Sequence, residues 1–169
     1  RDKVPGIEMS TGSLGQGFAV SVGMAMAARM DGKKSRTYVL LGDGELQEGL
    51  IWEAAMAASH YKLDNLCAIV DWNGLQIDGK NDDVMTVKPI DEKFKAFGFN
   101  VLVIDGHNFE EIFAAFDAAR ECKEKPTAIV AKTNKGRGVS FMEDNPGWHG
   151  KAPGEDEARQ AVSELGGEW

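Results

Sequence analysis

Thr37-Tyr38-Val39-Leu40-Leu41-Gly42-Asp43-Gly44 and Leu66-Cys67-Ala68-Ile69-Val70-Asp71-Trp72-Asn73 are two apolar runs that end alike, each on a short polar cluster. Both are nearly continuously apolar rather than alternating, which is how a strand covered on both faces reads. Residues 48–61 between them are Ala-rich and helical in pattern, so the stretch reads strand, helix, strand. A crossover of that length makes the two strands parallel neighbours.

Working outward, residues 100–104 and 127–131 are two further strand-like runs. Residues 108–122 open on a capping box, Asn108 with Glu111, and carry Ile112, Phe113 and Phe116 at helical spacing. A shorter helix over 91–97 stops at Gly98, and residues 154–165 form a modest amphipathic helix. Residues 14–30 are rich in Ala and Met and polar on almost no face, which predicts a buried helix. The pattern predicts one three-layer α/β/α domain over residues 1–169 with a mainly parallel sheet. Four strands make a small sheet, which points to further strands or a permanent partner. Residues 132–154, with five glycines and two prolines, read as a functional loop or lid. The chain opens on Arg1 rather than Met and reads as a processed or trimmed piece, truncated at its N-terminus.

The bulk numbers narrow the function. With 27 acidic against 19 basic residues and a formal charge of −8, the chain lacks the basic face that nucleic-acid binding needs. No apolar run approaches the ~18 residues of a membrane span, and no signal-peptide pattern stands at the start. Cys67 and Cys122 are isolated, with no CxxC, and read as reduced packing residues of a cytoplasmic protein.

In open α/β sheets ligands bind beyond the carboxyl ends of the strands. Asp43 and Asn73 are thirty residues apart, one helix plus one strand, so neighbouring strands bring both side chains to one edge. A carboxylate and an amide oxygen there are hard ligands suited to Mg²⁺ or Ca²⁺, with phosphate oxygens and water completing the shell. Gly44, read as opening the next helix, lets a backbone N–H approach a phosphate. Glu45 and Glu48 suit a helix start but would repel a bare phosphate, a conflict that a bridging metal resolves. Either Gly-Asp-Gly or Asn73-Gly74 alone is often only a tight turn; their spacing sets the pair apart. Other phosphate and catalytic signatures fail. There is no GxxxxGK[ST], HExxH, Cys/His cluster or GxSxG, and the glycines of 12–17 are out of GxGxxG register.

Gly42-Asp43-Gly44 followed by Asn73 resembles the thiamine-diphosphate signature GDG…N. The version Gly42-Asp43-Gly44-Glu45-Leu46-Gln47-Glu48-Gly49 is similar to that of transketolases, as are Ser10-Thr11-Gly12-Ser13-Leu14-Gly15-Gln16-Gly17 and Trp148-His149-Gly150-Lys151-Ala152-Pro153. The three blocks fall in the family's order and cover nearly the whole chain. The resemblance implies that Asp43 and Asn73 bind Mg²⁺ by side chain and Leu75 by its backbone carbonyl. It implies that Gly44 and Asn73 touch the diphosphate, and that Gly12, Ser13 and Leu14 line the cofactor between diphosphate and aminopyrimidine. His149 would face the diphosphate and the sugar hydroxyls, and Glu48 matches an acid near the subunit interface that couples paired active sites. Ser13 stands where the family commonly has proline. The family's upstream histidine-bearing segments and its pyrimidine-binding half are absent from these residues, and with that half the glutamate that protonates the aminopyrimidine.

The expectation is therefore the diphosphate-binding half of a split transketolase. Together with a pyrimidine-binding subunit it would transfer a two-carbon ketol unit between sugar phosphates; alone it would be inactive and self-associate. A related thiamine-diphosphate enzyme, such as a deoxyxylulose-phosphate synthase, and a non-catalytic cofactor-binding module are the alternatives.

Overall fold

The computed structural model describes residues 4–169. Its elements are α1 Gln16–Met30, β1 Thr37–Gly42, α2 Gly49–His60, β2 Leu66–Trp72, β3 Leu75–Gln76, β4 Gly79–Lys80, α3 Asn81–Val84, α4 Ile90–Ala96, β5 Asn100–Asp105, α5 Phe109–Glu121, β6 Thr127–Lys132 and α6 Glu155–Glu164. One-turn 3-10 helices stand at Gly44–Gln47 and Pro146–Trp148. The main sheet runs β1-β2-β6-β5, all parallel, and β3 with β4 is a separate antiparallel hairpin.

The apolar runs form strands because both of their faces are used. On β2, Leu66, Ala68 and Val70 pack into a core with α1, α2 and α4, while Cys67 faces the opposite way toward Ala115 and Ala119 of α5. Phe18, Ile51, Ile90 and Phe94 are fully buried in the larger core. The three-layer α/β/α architecture is as expected, with a thin second layer that the core packing assigns to α5. Cys67 and Cys122 are both free, and burial pushes the Cys67 thiol up to about 12, which keeps it unreactive.

Local signals hold at the helix ends. The Asn108 side chain accepts N–H bonds from Glu110 and Glu111. Glu111 does not return a bond to the Asn108 backbone; its carboxylate accepts from the Asn108 side chain and the Asp105 N–H. Gly98 follows α4 with φ +86°, a conformation glycine adopts without strain.

Two expectations are corrected. Helix α1 buries Phe18, Ser21, Val22 and Ala25, but Val20, Met24 and Met30 on its outer side are exposed. The helix is apolar all round, yet these residues supply cover for only one of its faces. A groove of about 880 Å³ runs from that face across Tyr38 and Leu40 of β1 to Ile7 and Met9. The other correction concerns Gly44, which opens a 3-10 turn rather than the following α-helix; α2 begins five residues later, at Gly49. Leu46, buried among the core side chains, pulls that intervening turn down onto α2, where the Trp52 indole N–H donates to the Leu46 carbonyl at 3.0 Å.

Residues 132–154 hold no strand or α-helix beyond Lys132. The segment is nonetheless tied down: the Ser140 N–H and hydroxyl both donate to Glu164 of α6, at 2.6 and 2.8 Å. Among the described residues no helix is long and apolar enough to cross a membrane.

Candidate functional site

Strands β1 and β2 pair in register Gly42 with Asp71, so Asp43 and Asn73 emerge side by side from adjacent strand ends. The ladder reaches one step further, with the Asp43 N–H donating to the Asp71 carbonyl at 3.2 Å. Asp43 is 1% exposed, and both of its carboxylate oxygens accept backbone N–H bonds, from Gly44 at 2.8 Å and from Gly74 at 2.6 Å. Gly74 can present its N–H this way because it sits at φ +76°, where a residue with a side chain would be strained.

No lysine or arginine pairs with Asp43 among the described residues. Burial raises its pKa from the ordinary aspartate value; the Gly74 N–H, Asn81 and the Gly44 N–H oppose that shift, and the neighbouring Asp71 charge adds to it. A buried carboxylate with two N–H bonds and no protein cation could receive a cation from outside. The described residues contain no group of three His, Cys, Asp or Glu around a metal position, so any ion here relies on amide and carbonyl oxygens and on its ligand's own oxygens.

Asn73 is held at both ends of its amide. Its Oδ1 accepts the Leu75 N–H at 2.9 Å and its Nδ2 donates to Asp71 at 3.1 Å, while Asp71 also accepts the Thr133 hydroxyl. Asn73 Oδ1 therefore points into the turn and keeps a second lone pair. Leu75, in β3, is buried at 7% exposure. Thus Asp43, Gly44, Asn73 and Leu75 are brought together. Gly44 has no free N–H, since that group is given to Asp43, but the turn is tight: a Cβ there would lie 3.0 Å from Gln76 Cβ.

Gly12, Ser13 and Leu14 form an exposed loop running into α1, and nothing stands within 4 Å of a Cβ at Gly12. Glu45 joins this loop to the Asp43–Asn73 edge, accepting the Gly15 N–H at 2.9 Å and the Gly42 N–H at 3.2 Å. Gly15, at φ +80°, packs against the side chain of Glu48, with 3.2 Å between its would-be Cβ and Glu48 Cβ. Glu48 itself is exposed at the start of α2 and makes no cap bond to that helix. His149 is exposed at the end of the second 3-10 turn. That turn is fixed by Asn145, which accepts the Gly147 N–H, and by Trp148, which donates to Phe141. No side-chain hydrogen bond links His149 to the Asp43–Asn73 edge.

Asp71 and Thr133 stand at this edge without being singled out by the sequence, and Glu45, read there as a helix-start acid, instead ties the glycine loop to it. Asp71 stands two positions before Asn73 in the same polar cluster, and that position was its only signal.

The residues present fit a metal–diphosphate group: a buried unpaired carboxylate, a neighbouring amide oxygen, and a glycine turn with an open glycine-bearing loop beside it. The family model for "Transketolase, thiamine diphosphate binding domain" matches residues 1–169. The chain is 47% identical over 163 residues to an apulose-4-phosphate transketolase subunit of Phocaeicola vulgatus, covering 96% of this chain and 58% of that protein. It is 46% identical over 162 residues to human transketolase, covering 94% of this chain and 25% of that one. Among solved structures, transketolase from Campylobacter jejuni superposes with a TM-score of 0.90 at 38% identity, over 96% of this chain and 27% of that one. The chain thus spans little more than half the length of the Phocaeicola protein and about a quarter of the human and Campylobacter enzymes. Family match, identity and fold agree, and the chain belongs to the transketolase family as a thiamine diphosphate-binding domain.

Proposed function

We propose that this chain is the diphosphate-binding half of a two-part transketolase, holding thiamine diphosphate through Mg²⁺. The observation that carries the reading is Asp43, a buried carboxylate at the sheet edge with backbone donors and no protein cation. Asp43, Asn73 and the Leu75 carbonyl would take the metal and Asn73 the diphosphate, which Gly44, its N–H given to Asp43, would touch by contact alone; Gly12, Ser13 and Leu14 would take the middle of the cofactor. The thiamine diphosphate supplies the electron sink for breaking and making carbon–carbon bonds. The reaction moves a two-carbon ketol unit: the C2–C3 bond of a ketose phosphate breaks, and a bond forms to the aldehyde carbon of an aldose phosphate. His149 would hold and move protons at the sugar hydroxyls, presented by the 132–154 loop, which its bonds to α6 hold in place. Glu48, free of any capping duty, would meet the neighbouring subunit.

A pyrimidine-binding subunit completes the site. The exposed apolar side chains of α1 and β1 support an association surface, and the Phocaeicola relative is itself named as a subunit. Cytoplasmic location is part of the same reading.

Calorimetric titration with thiamine diphosphate, with and without Mg²⁺, tests the assignment. Binding should require the metal, and it should weaken as pH falls. Metal binding needs the Asp43 anion, and a raised pKa means protons displace the metal at higher pH than for an ordinary aspartate. Metal-independent binding, or affinity flat down to the ordinary aspartate range of about 4, would contradict the reading.

A further inference from the structure

Asn81 opens α3 immediately after the β3–β4 hairpin and is 3% exposed. Neither its Nδ2 nor its Oδ1 has a hydrogen-bond partner. Buried carboxamides are almost always paired, so one left open on both atoms calls for a reason.

Its surroundings supply one. The Asn81 backbone N–H donates to the Gly74 carbonyl at 2.9 Å, and the Gly74 N–H in turn donates to Asp43 at 2.6 Å. Asn81 is therefore fixed to the very turn that grips the carboxylate. Its Oδ1 lies 3.4 Å from where a Cβ on Gly44 would stand, so it sits directly behind the Asp43-Gly44 corner. With Asn73, Gly74 and Trp72 it also lines a small cavity of about 190 Å³. The amide favours the Asp43 anion, yet neither of its polar atoms has a hydrogen-bond partner.

We propose that Asn81 is a positioning residue of this site: its amide swings onto the Asp43 carboxylate and holds it in the orientation that a divalent cation needs. The assignment rests on Asp43 being a metal ligand, and it extends the donor set to a residue outside the three motif blocks. Partners one step behind a metal ligand orient it, and losing one typically costs about 10- to 100-fold in metal affinity.

Mn²⁺ titration followed by electron paramagnetic resonance, on the full chain with thiamine diphosphate present, reads this without any assay of turnover. Asn81→Leu should bind Mn²⁺ about 10- to 100-fold more weakly. The metal-free melting temperature should hold or rise, because two unpaired polar atoms leave the interior. Should Asn81→Leu fail to fold, Asn81→Ser decides in the same way, since its hydroxyl is too short to reach Asp43. Wild-type Mn²⁺ affinity in the folded variant would overturn the assignment, as would a loss of affinity that merely tracks a fall in melting temperature. Asp43→Ala separates the two readings. If it also keeps wild-type affinity, the metal site itself is misplaced; if it alone abolishes binding, only the role of Asn81 fails.

Discussion

Asp43→Ala should abolish Mg²⁺-dependent binding of thiamine diphosphate while leaving the fold in place. Asn73 and the Leu75 carbonyl are neutral donors, and hard-cation sites depend on their charged ligands. Replacing Asp43 leaves only neutral donors in the proposed ligand set. The fold should survive because the carboxylate's buried charge has no protein counter-charge, and burial already disfavours it. The Gly44 and Gly74 N–H groups lose their acceptor in the variant; they lie at a strand-end turn where water can replace it. Titration calorimetry with cofactor and Mg²⁺, beside circular dichroism of the free variant, checks both halves. Unchanged affinity would remove the metal assignment, and an unfolded variant would make Asp43 a structural residue.

His149→Ala should depress ketol transfer in the assembled enzyme by roughly 10²- to 10⁴-fold, the range typical of a proton-transfer group. His149 is exposed and its ring makes no hydrogen bond among the described residues, so it contributes little to the fold. The turn carrying it is rigid for other reasons. Asn145 and Trp148 fix the backbone on one side, and the Lys151 ammonium lies 3.9 Å from the Trp148 ring centroid on the other. The substitution should thus remove the imidazole and nothing else. Steady-state kinetics of the complemented enzyme, with thermal unfolding beside them, provide the check. Wild-type turnover would leave His149 as an ordinary loop residue.

The strands of the sheet were legible because each is buried on both faces, which writes an unbroken apolar run into the sequence. The hairpin Leu75–Lys80 was not: strands of two residues carry no periodic pattern, and only Gly79 hints at a turn. The pairing of Asp43 with Asn73 could be read from one-crossover spacing, since parallel neighbours in register place successive strand ends together. Glu45 could not be read in the same way. An acid just after Gly-Asp-Gly looks like a helix-start residue, whereas its two oxygens hold Gly15 and Gly42, and Gly15 is thirty positions away. Asn81, inside the charged stretch Lys80-Asn81-Asp82-Asp83, has no apolar pattern around it to announce that it is buried. Helix α1 misled in the opposite direction. Uniform apolarity implied burial on every side, and the described residues cover one face only.

The uncovered face of α1 bears on the proposal that another chain completes the site. Ketol transfer from a ketose phosphate to an aldose phosphate, assayed on the purified chain alone and after mixing with a pyrimidine-binding transketolase subunit, measures this directly. Light scattering on the same samples reports association. The chain alone should self-associate and give no measurable transfer, and activity should appear on mixing. An active, monodisperse monomer, or a mixed complex that stays inactive with cofactor and Mg²⁺ present, would contradict the account.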